Sequence, residues 1–172
     1  MGLLCLTTTV NIYGQNWDKI SKEIKIKQLS VIRNKEYINH YYNLRKKSGY
    51  LNRFSPIVNS DTIFIIDYYG HLNHSMLSSI VWNRIDTIIC ASEDNGQTYN
   101  YEKGRLFTKY MIKLVGEWNI SEIKREEDIN GGSIPQFHDC ATRIIFNEKK
   151  YKIDCLYFKD FFDINRDRNS FP

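Results

Sequence analysis

Cysteine is scarce in this sequence, and the cysteines that it has lack the usual spacings. They are Cys5, Cys90, Cys140 and Cys155, and no two of them form a Cys-x-x-Cys pair. This pattern argues against the disulfide framework of a small secreted domain and against the ligand spacing of a zinc ribbon. Cys90 and Cys155 lie in apolar, strand-like stretches, which is typical of unreactive core thiols.

Catalytic and cofactor-binding motifs are also missing. The sequence has no Gly-x-Ser-x-Gly elbow, no Walker motif, no protein-kinase signature and no glycine-rich phosphate loop between alternating strands and helices. It also has no internal repeat and no low-complexity linker. These absences predict no catalytic residue, no metal and no cofactor, and they favour a binding protein over an enzyme.

Positive charge is concentrated near the start of the chain. Residues 16–53 hold ten Lys and Arg against three Asp and Glu, whereas residues 54–172 hold fourteen against seventeen. A basic segment on a slightly acidic body is typical of contact with nucleic acid, anionic lipid or an acidic protein. A solvated, lysine-rich helix face produces the same pattern and is the simpler interpretation.

The opening stretch raises the question of cellular compartment. Residues 1–15 carry no charged side chain, and the chain turns abruptly polar and lysine-rich at Asn16. This change favours a clipped signal peptide over residues 1–15 and therefore a periplasmic or secreted protein. The expected basic residue before the apolar run is missing, however, and residues 7–13, TTTVNIY, also fit a β-strand of a cytoplasmic protein. The segment is too short for a transmembrane helix, so no membrane span is predicted.

Helical spacing predicts helices at the front of the chain and in its middle. Asn16 fits the N-cap of a helix that begins at Trp17, and a second helical run covers residues 34–47. Residues 102–118 carry a broad apolar stripe at helical spacing, which predicts one long amphipathic helix that packs on a sheet. Asn119 and Glu122 then resemble the capping box of a further short helix.

The predicted strands define the fold class. Three closely spaced apolar stretches indicate an antiparallel meander, and two further stretches form a C-terminal hairpin: residues 62–69, 75–82, 85–92, 141–147 and 151–158. We therefore expect an α+β fold, with an antiparallel sheet of about five strands packed against the long helix. The basic helical segment 16–53 is expected to form one folded unit with the α+β domain of residues 54–172.

Histidines and one cysteine are the candidates for chemistry. Asp67, His71 and His74 lie close together, and His138 is a more distant possible ligand, so a metal-dependent hydrolase is one alternative function. The spacing matches no known metal motif, and polar residues at a hairpin turn explain it equally well. Cys140 is the candidate nucleophile because strand alternation places it on the same face as His138.

The basic segment 33–53 offers a second alternative, a cytoplasmic protein that binds single-stranded nucleic acid. Cationic side chains could hold phosphates while tyrosines stack on bases. The residues concerned are Arg33, Lys35, Arg45, Lys46, Lys47 and Arg53 with Tyr37, Tyr41, Tyr42 and Tyr50. The tyrosines share a helical face with Ile38 and Leu44, however, so core packing is the simpler explanation and nucleic acid is not the favoured partner.

The sequence as a whole favours a small, exported, non-catalytic protein that binds another protein. Envelope-associated accessory proteins and immunity-type inhibitors belong to this class. The predicted partner-binding residues are Tyr68, Tyr69, His71 and His74, at the first hairpin, because loop residues on a rigid scaffold are common contact points.

Overall fold

The computed structural model describes nine stretches of the chain and shows an α+β fold. The described residues are 16–32, 35–54, 61–70, 76–84, 89–92, 98–100, 106–130, 138–147 and 150–159. The helices are α1 (Trp17–Val31), α2 (Lys35–Ser48), a short 3₁₀ helix (Tyr50–Phe54), α3 (Leu106–Glu117) and α4 (Ile120–Asn130). The strands are β1 (Thr62–Gly70), β2 (Met76–Trp82), β3 (Ile89–Ser92), β4 (Thr98–Asn100), β5 (His138–Asn147) and β6 (Lys150–Lys159).

All six strands belong to one antiparallel sheet, in the order β4-β3-β2-β1-β5-β6. β1, β2 and β3 form the predicted meander, and β4 extends it by one strand that was not predicted. The β5–β6 hairpin adds to the sheet on the other side of β1. β1 is therefore a central strand, which explains why its sequence is apolar at nearly every position.

Helices cover both faces of this sheet. Ile63 and Ile65 of β1 face α1, α2 and the 3₁₀ helix, in a cluster that contains Ile20, Ile24 and Leu44. Their neighbours Phe64 and Ile66 point the opposite way because side chains alternate along a strand. They pack with Leu114 and Val115 of α3 and with Ile123 of α4. The sheet is thus the middle layer of three.

Capping residues set the ends of several helices as the sequence predicts. Oδ1 of Asn16 accepts a hydrogen bond from the Lys19 amide at 2.9 Å, and Oδ1 of Asn119 accepts one from the Glu122 amide at 3.1 Å. The corner between α3 and α4 is unusual because Trp118 adopts a left-handed φ of 51°, a conformation normally given to glycine. Its ring packs 4.5 Å from the Arg143 guanidinium, which holds this corner on the sheet.

Two details of the predicted fold are wrong. The sheet has six strands instead of about five, because the three residues of β4 are too few to show an alternating pattern. The helix predicted over residues 102–118 is matched in part: α3 covers 12 residues, Leu106–Glu117, and is not the longest described helix, since α1 has 15 residues. Each face of the described sheet carries a helix pair. Among the described residues, no helix has the length and apolar character needed to cross a membrane.

Ile24 and Ile26 provide a matched test of how α1 is oriented. Ile24 is fully buried, whereas Ile26 is 66% exposed. We expect Ile24→Ala to lower the free energy of unfolding by about 2–5 kcal/mol, because it removes buried surface and leaves a cavity. Ile26→Ala should change it by less than about 0.5 kcal/mol. Urea denaturation measures both values, and equal losses would contradict this orientation.

Candidate functional site

A buried polar network lies at the centre of the sheet, on the face covered by α1 and α2. Its acceptor is Asp67 of β1, which is fully buried. Oδ2 of Asp67 accepts hydrogen bonds from Nη1 of Arg45 at 2.7 Å and from Nε2 of Gln28 at 2.6 Å. Oδ1 accepts a hydrogen bond from the Ser79 hydroxyl at 2.5 Å. Both carboxylate oxygens are therefore engaged inside the protein.

Gln28 joins the two helices of this layer to the sheet. Its Oε1 accepts a hydrogen bond from Nη2 of Arg45 at 2.8 Å. Its Nε2 also approaches the Thr142 hydroxyl of β5, at 3.3 Å. Together with the bonds to Asp67, these contacts connect α1, α2, β1, β2 and β5 through a few buried side chains.

The charges in the network stabilise one another. Burial alone would lower the pKa of Arg45, but the neighbouring Asp67 carboxylate and Tyr50 raise it, so the guanidinium stays protonated. Burial, followed by the charge of Asp67, raises the pKa of the Tyr50 phenol. The Tyr50 hydroxyl lies beside Ser79 and Arg45 but makes no hydrogen bond with the described residues. This arrangement is that of a structural ion pair.

The two candidate groups for chemistry that the structure describes lie inside this core. Asp67, which the sequence groups with His71 and His74 as possible metal ligands, is instead committed to Arg45 and Ser79. Cys140 is fully buried, and a hydrogen bond with Cys155 together with burial raises the pKa of its thiol well above the usual value. A reactive cysteine needs the thiolate and access to solvent, so Cys140 occupies the position of a core residue.

The predicted partner-binding residues fall at the edge of what the structure describes. Tyr68 and Tyr69 lie at the end of β1, opposite Ser78 and Leu77 of β2, and only their backbone is described. His71 and His74 lie outside the described residues. The role of these four residues in binding a partner therefore stays a prediction. His138 begins β5, opposite Lys159 of β6.

Three residues that the nucleic-acid alternative requires on the surface are buried in the structure. Tyr41 is fully buried, Tyr50 is 1% exposed and Arg45 is 2% exposed, so none of them can reach a nucleic acid. The apolar spacing of α2 hints at burial of Tyr41, but nothing in the local sequence separates Arg45 from the lysines that follow it. Lys35, Lys46 and Lys47 remain on the surface. Arg33 lies outside the described residues.

Metal ligands are not clustered in the part of the chain that the structure describes. Within the nine described stretches, no group of three or more His, Cys, Asp or Glu side chains could hold a metal ion. The ligand set His71, His74 and His138 lies mainly outside those stretches.

Sequence reasoning missed a groove between α1 and β6, which we call the α1–β6 groove. Its volume is about 350 Å³, and it is lined by Glu23, Ile26 and Lys27 of α1 and by residues 151–154 of β6. Ile26 is 66% exposed, and Leu29, one turn further along the same face of α1, is 36% exposed. The only sequence signal of this surface is the blurred apolar spacing around residues 24–32.

Charged side chains at the groove are partly paired. Nζ of Lys19 lies 3.9 Å from Oε1 of Glu23, and Asp154 pairs with Arg143 at 2.8 Å and with Lys152 at 3.0 Å. Partial burial of Asp154 opposes ionisation, but the hydrogen bonds from Arg143 and Lys152 outweigh it and hold the pKa of Asp154 below its usual value. Burial and then the nearby Glu23 carboxylate raise the pKa of Tyr151 to about 12.

The buried ion pair makes a prediction about stability. Asp67→Asn should lower the free energy of unfolding by about 3–5 kcal/mol, because it leaves the Arg45 charge buried without its counter-ion. The double variant Arg45→Met/Asp67→Leu should regain part of this loss, since it removes both charges but leaves Gln28 and Ser79 without their hydrogen bonds to Asp67. Urea denaturation measures all three proteins. A loss below about 1 kcal/mol for Asp67→Asn would show that water reaches Arg45. If Asp67→Asn fails to fold, recovery of folding in the double variant is the readout.

The lowered pKa of Asp154 makes a prediction about pH. A group with a lowered folded-state pKa contributes stability that is complete above its unfolded pKa, about 3.9 for aspartate. This stability is lost as the pH falls through the lower folded-state pKa. The difference in unfolding free energy between the parent and Asp154→Asn should therefore be constant near neutral pH and shrink in acid. Urea denaturation across a pH series measures it, and a difference that grows in acid would contradict the ion pair.

The chain shows no similarity to known proteins: no family model, no curated protein and no solved structure matches it. Its function therefore has to be inferred from its own surface chemistry. Within the described residues, the α1–β6 groove combines exposed apolar surface, charged side chains and an outer strand of the sheet.

Proposed function

We propose that this protein is a small, non-catalytic protein that acts by binding another protein. The observation that carries this proposal is the α1–β6 groove, where Ile26 is 66% exposed beside the outermost strand. Single exposed apolar residues are common on protein surfaces. Ile26 differs from such a residue because it lines a groove together with Tyr151 and Ile153, which places apolar surface in a concave, charge-rimmed setting. Such a setting suits a protein partner.

The proposal includes the type and location of the protein. An accessory protein or an immunity-type inhibitor acts by occupying a surface of its partner, so it needs a rigid scaffold and a contact surface. The three-layer core provides the scaffold. The uncharged segment of residues 1–15 supports export of the protein, and the partner is then another extracytoplasmic protein.

Site-specific photo-crosslinking in the native cells tests this proposal. A photoreactive amino acid at position 26 should give one reproducible crosslinked protein, whereas the same group at position 120 should not. Ile120 is the matched control because it is 41% exposed on α4, in the opposite helix layer. The intact mass of the recovered chain reports in the same experiment whether residues 1–15 have been removed.

Capture alone would not establish a binding surface, so surface variants complete the test. Ile26→Asp should abolish co-purification of the captured protein with the full chain, and Ile120→Asp should leave it unchanged. Equal capture from both positions would overturn the proposal for the groove. Capture only from positions 68, 69, 71 and 74 would move the binding surface to the predicted hairpin.

A further inference from the structure

We infer that the edge of β6 that pairs with no other described strand accepts an extended, acidic segment of the partner protein, which adds to the sheet as a further strand. This inference rests on the proposed function, because it specifies what the α1–β6 groove binds. The occupant is identified by two properties of the described residues: the geometry of β6 and the charge around it.

The geometry of β6 suits strand addition. β6 is the last strand in the described sheet, and it pairs with β5 without interruption from Lys150 to Lys159. The constant register shows that no bulge twists this edge away from a partner. An edge strand directs the N–H and C=O groups of alternate residues away from the sheet, where another strand can pair with them. The opposite edge strand, β4, has three residues and offers fewer such groups.

The groove beside β6 suits the side chains of an added strand. Successive side chains of a strand point to opposite faces, so every second side chain of the partner would lie on the α1 side. There it would meet Ile26 and the exposed ridge that continues to Leu29. Pairing of the backbone and contact with this apolar ridge are therefore compatible with one extended segment.

The charge around the groove favours an acidic segment. Lys27 lines the groove and is exposed. Lys150 and Lys152 of β6 are also exposed, and alternation along the strand directs them to the sheet face opposite α1, where Lys152 exposes 71% of its side chain. The two carboxylates at the groove, Glu23 and Asp154, already have cationic neighbours. Counted over both faces of this edge, five cationic side chains stand against these two carboxylates: Lys19, Lys27, Arg143, Lys150 and Lys152. The edge of β6 therefore attracts acidic side chains and disfavours basic ones.

The same lysines disfavour a second copy of this chain as the occupant. Two copies that met edge to edge along β6 would bring Lys150 and Lys152 of one chain close to those of the other. Edge lysines are a common natural device against such self-association. With an acidic strand from a different protein, the interaction of these lysines with the added strand becomes attractive.

Nuclear magnetic resonance of the full chain, titrated with a defined peptide, tests the inference. The probe is a short peptide in which glutamate alternates with valine. We expect saturable shifts of the β6 amide signals, and weaker binding as salt is added. The same peptide with every second backbone amide N-methylated should bind at least about tenfold more weakly, because it has lost hydrogen-bond donors. A peptide with lysine in place of glutamate should not bind.

Two charge-reversal variants test whether the preference for an acidic peptide depends on the groove. Lys27→Glu should weaken binding of the acidic peptide, while Lys124→Glu, an exposed site on α4, should not. Equal binding of the N-methylated peptide would exclude strand addition, and equal binding of the lysine peptide would exclude charge selection. Absence of saturable shifts in β6 would overturn the inference.

These outcomes are separable from those of the proposed function. If Ile26 crosslinks to a partner but the peptide leaves β6 unchanged, the protein binds a partner of another shape, and only the inference fails. If neither experiment gives a signal, both the inference and the proposed function fail.

Discussion

The buried ion pair between Asp67 and Arg45 is the interaction on which the arrangement of the helices depends. A carboxylate in the middle of a sheet covered on both faces is very costly unless cationic or hydrogen-bonding partners reach it. Arg45 comes from α2 and Gln28 from α1, so both helices must dock at one position to satisfy Asp67. Apolar contacts such as those of Ile20 and Ile24 are not directional and would permit neighbouring positions. We infer that the polar network selects one of them.

This constraint extends from the core to the surface. Gln28 and Ile24 are one helical turn apart and both point inward. Ile26 is two residues from each, about 200° around the helix, and is therefore forced outward. The orientation that satisfies Asp67 thus exposes Ile26 beside β6. The groove is a consequence of the buried network and not an independent feature of the surface.

The same residues explain which parts of the structure can be predicted from the sequence. Asn16 and Asn119 act locally, on amides three residues away, so their capping roles are readable directly. The largely apolar sequence of β1, in which Asp67 is the one charged residue, likewise predicts its central place in the sheet. The ion pair between Arg45 and Asp67 joins residues 22 positions apart. It cannot be predicted from the sequence because no local pattern distinguishes Arg45 from the exposed lysines next to it.

The candidate site escapes prediction for a related reason. Around residues 24–32 the apolar spacing fits neither a helix nor a strand, because a polar Gln28 is buried and an apolar Ile26 is exposed. A hydrophobic periodicity assumes that apolar residues face inward, so it fails wherever this rule is inverted. The groove is also formed by elements far apart in the chain, α1 and β6, and becomes visible only in three dimensions.

The burial of polar Gln28 and the exposure of apolar Ile26 have different explanations. Burial of Gln28 is explained within the protein, because Asp67, Arg45 and Thr142 provide its hydrogen bonds. Exposure of Ile26 is permitted by the fold, but no contact among the described residues requires an isoleucine there. A lysine or glutamate would suit the outer face of α1 equally well. An apolar residue beside an outer strand gains a physical role when a partner covers it, and the cationic side chains along this edge are the basis of our proposal that the partner is acidic.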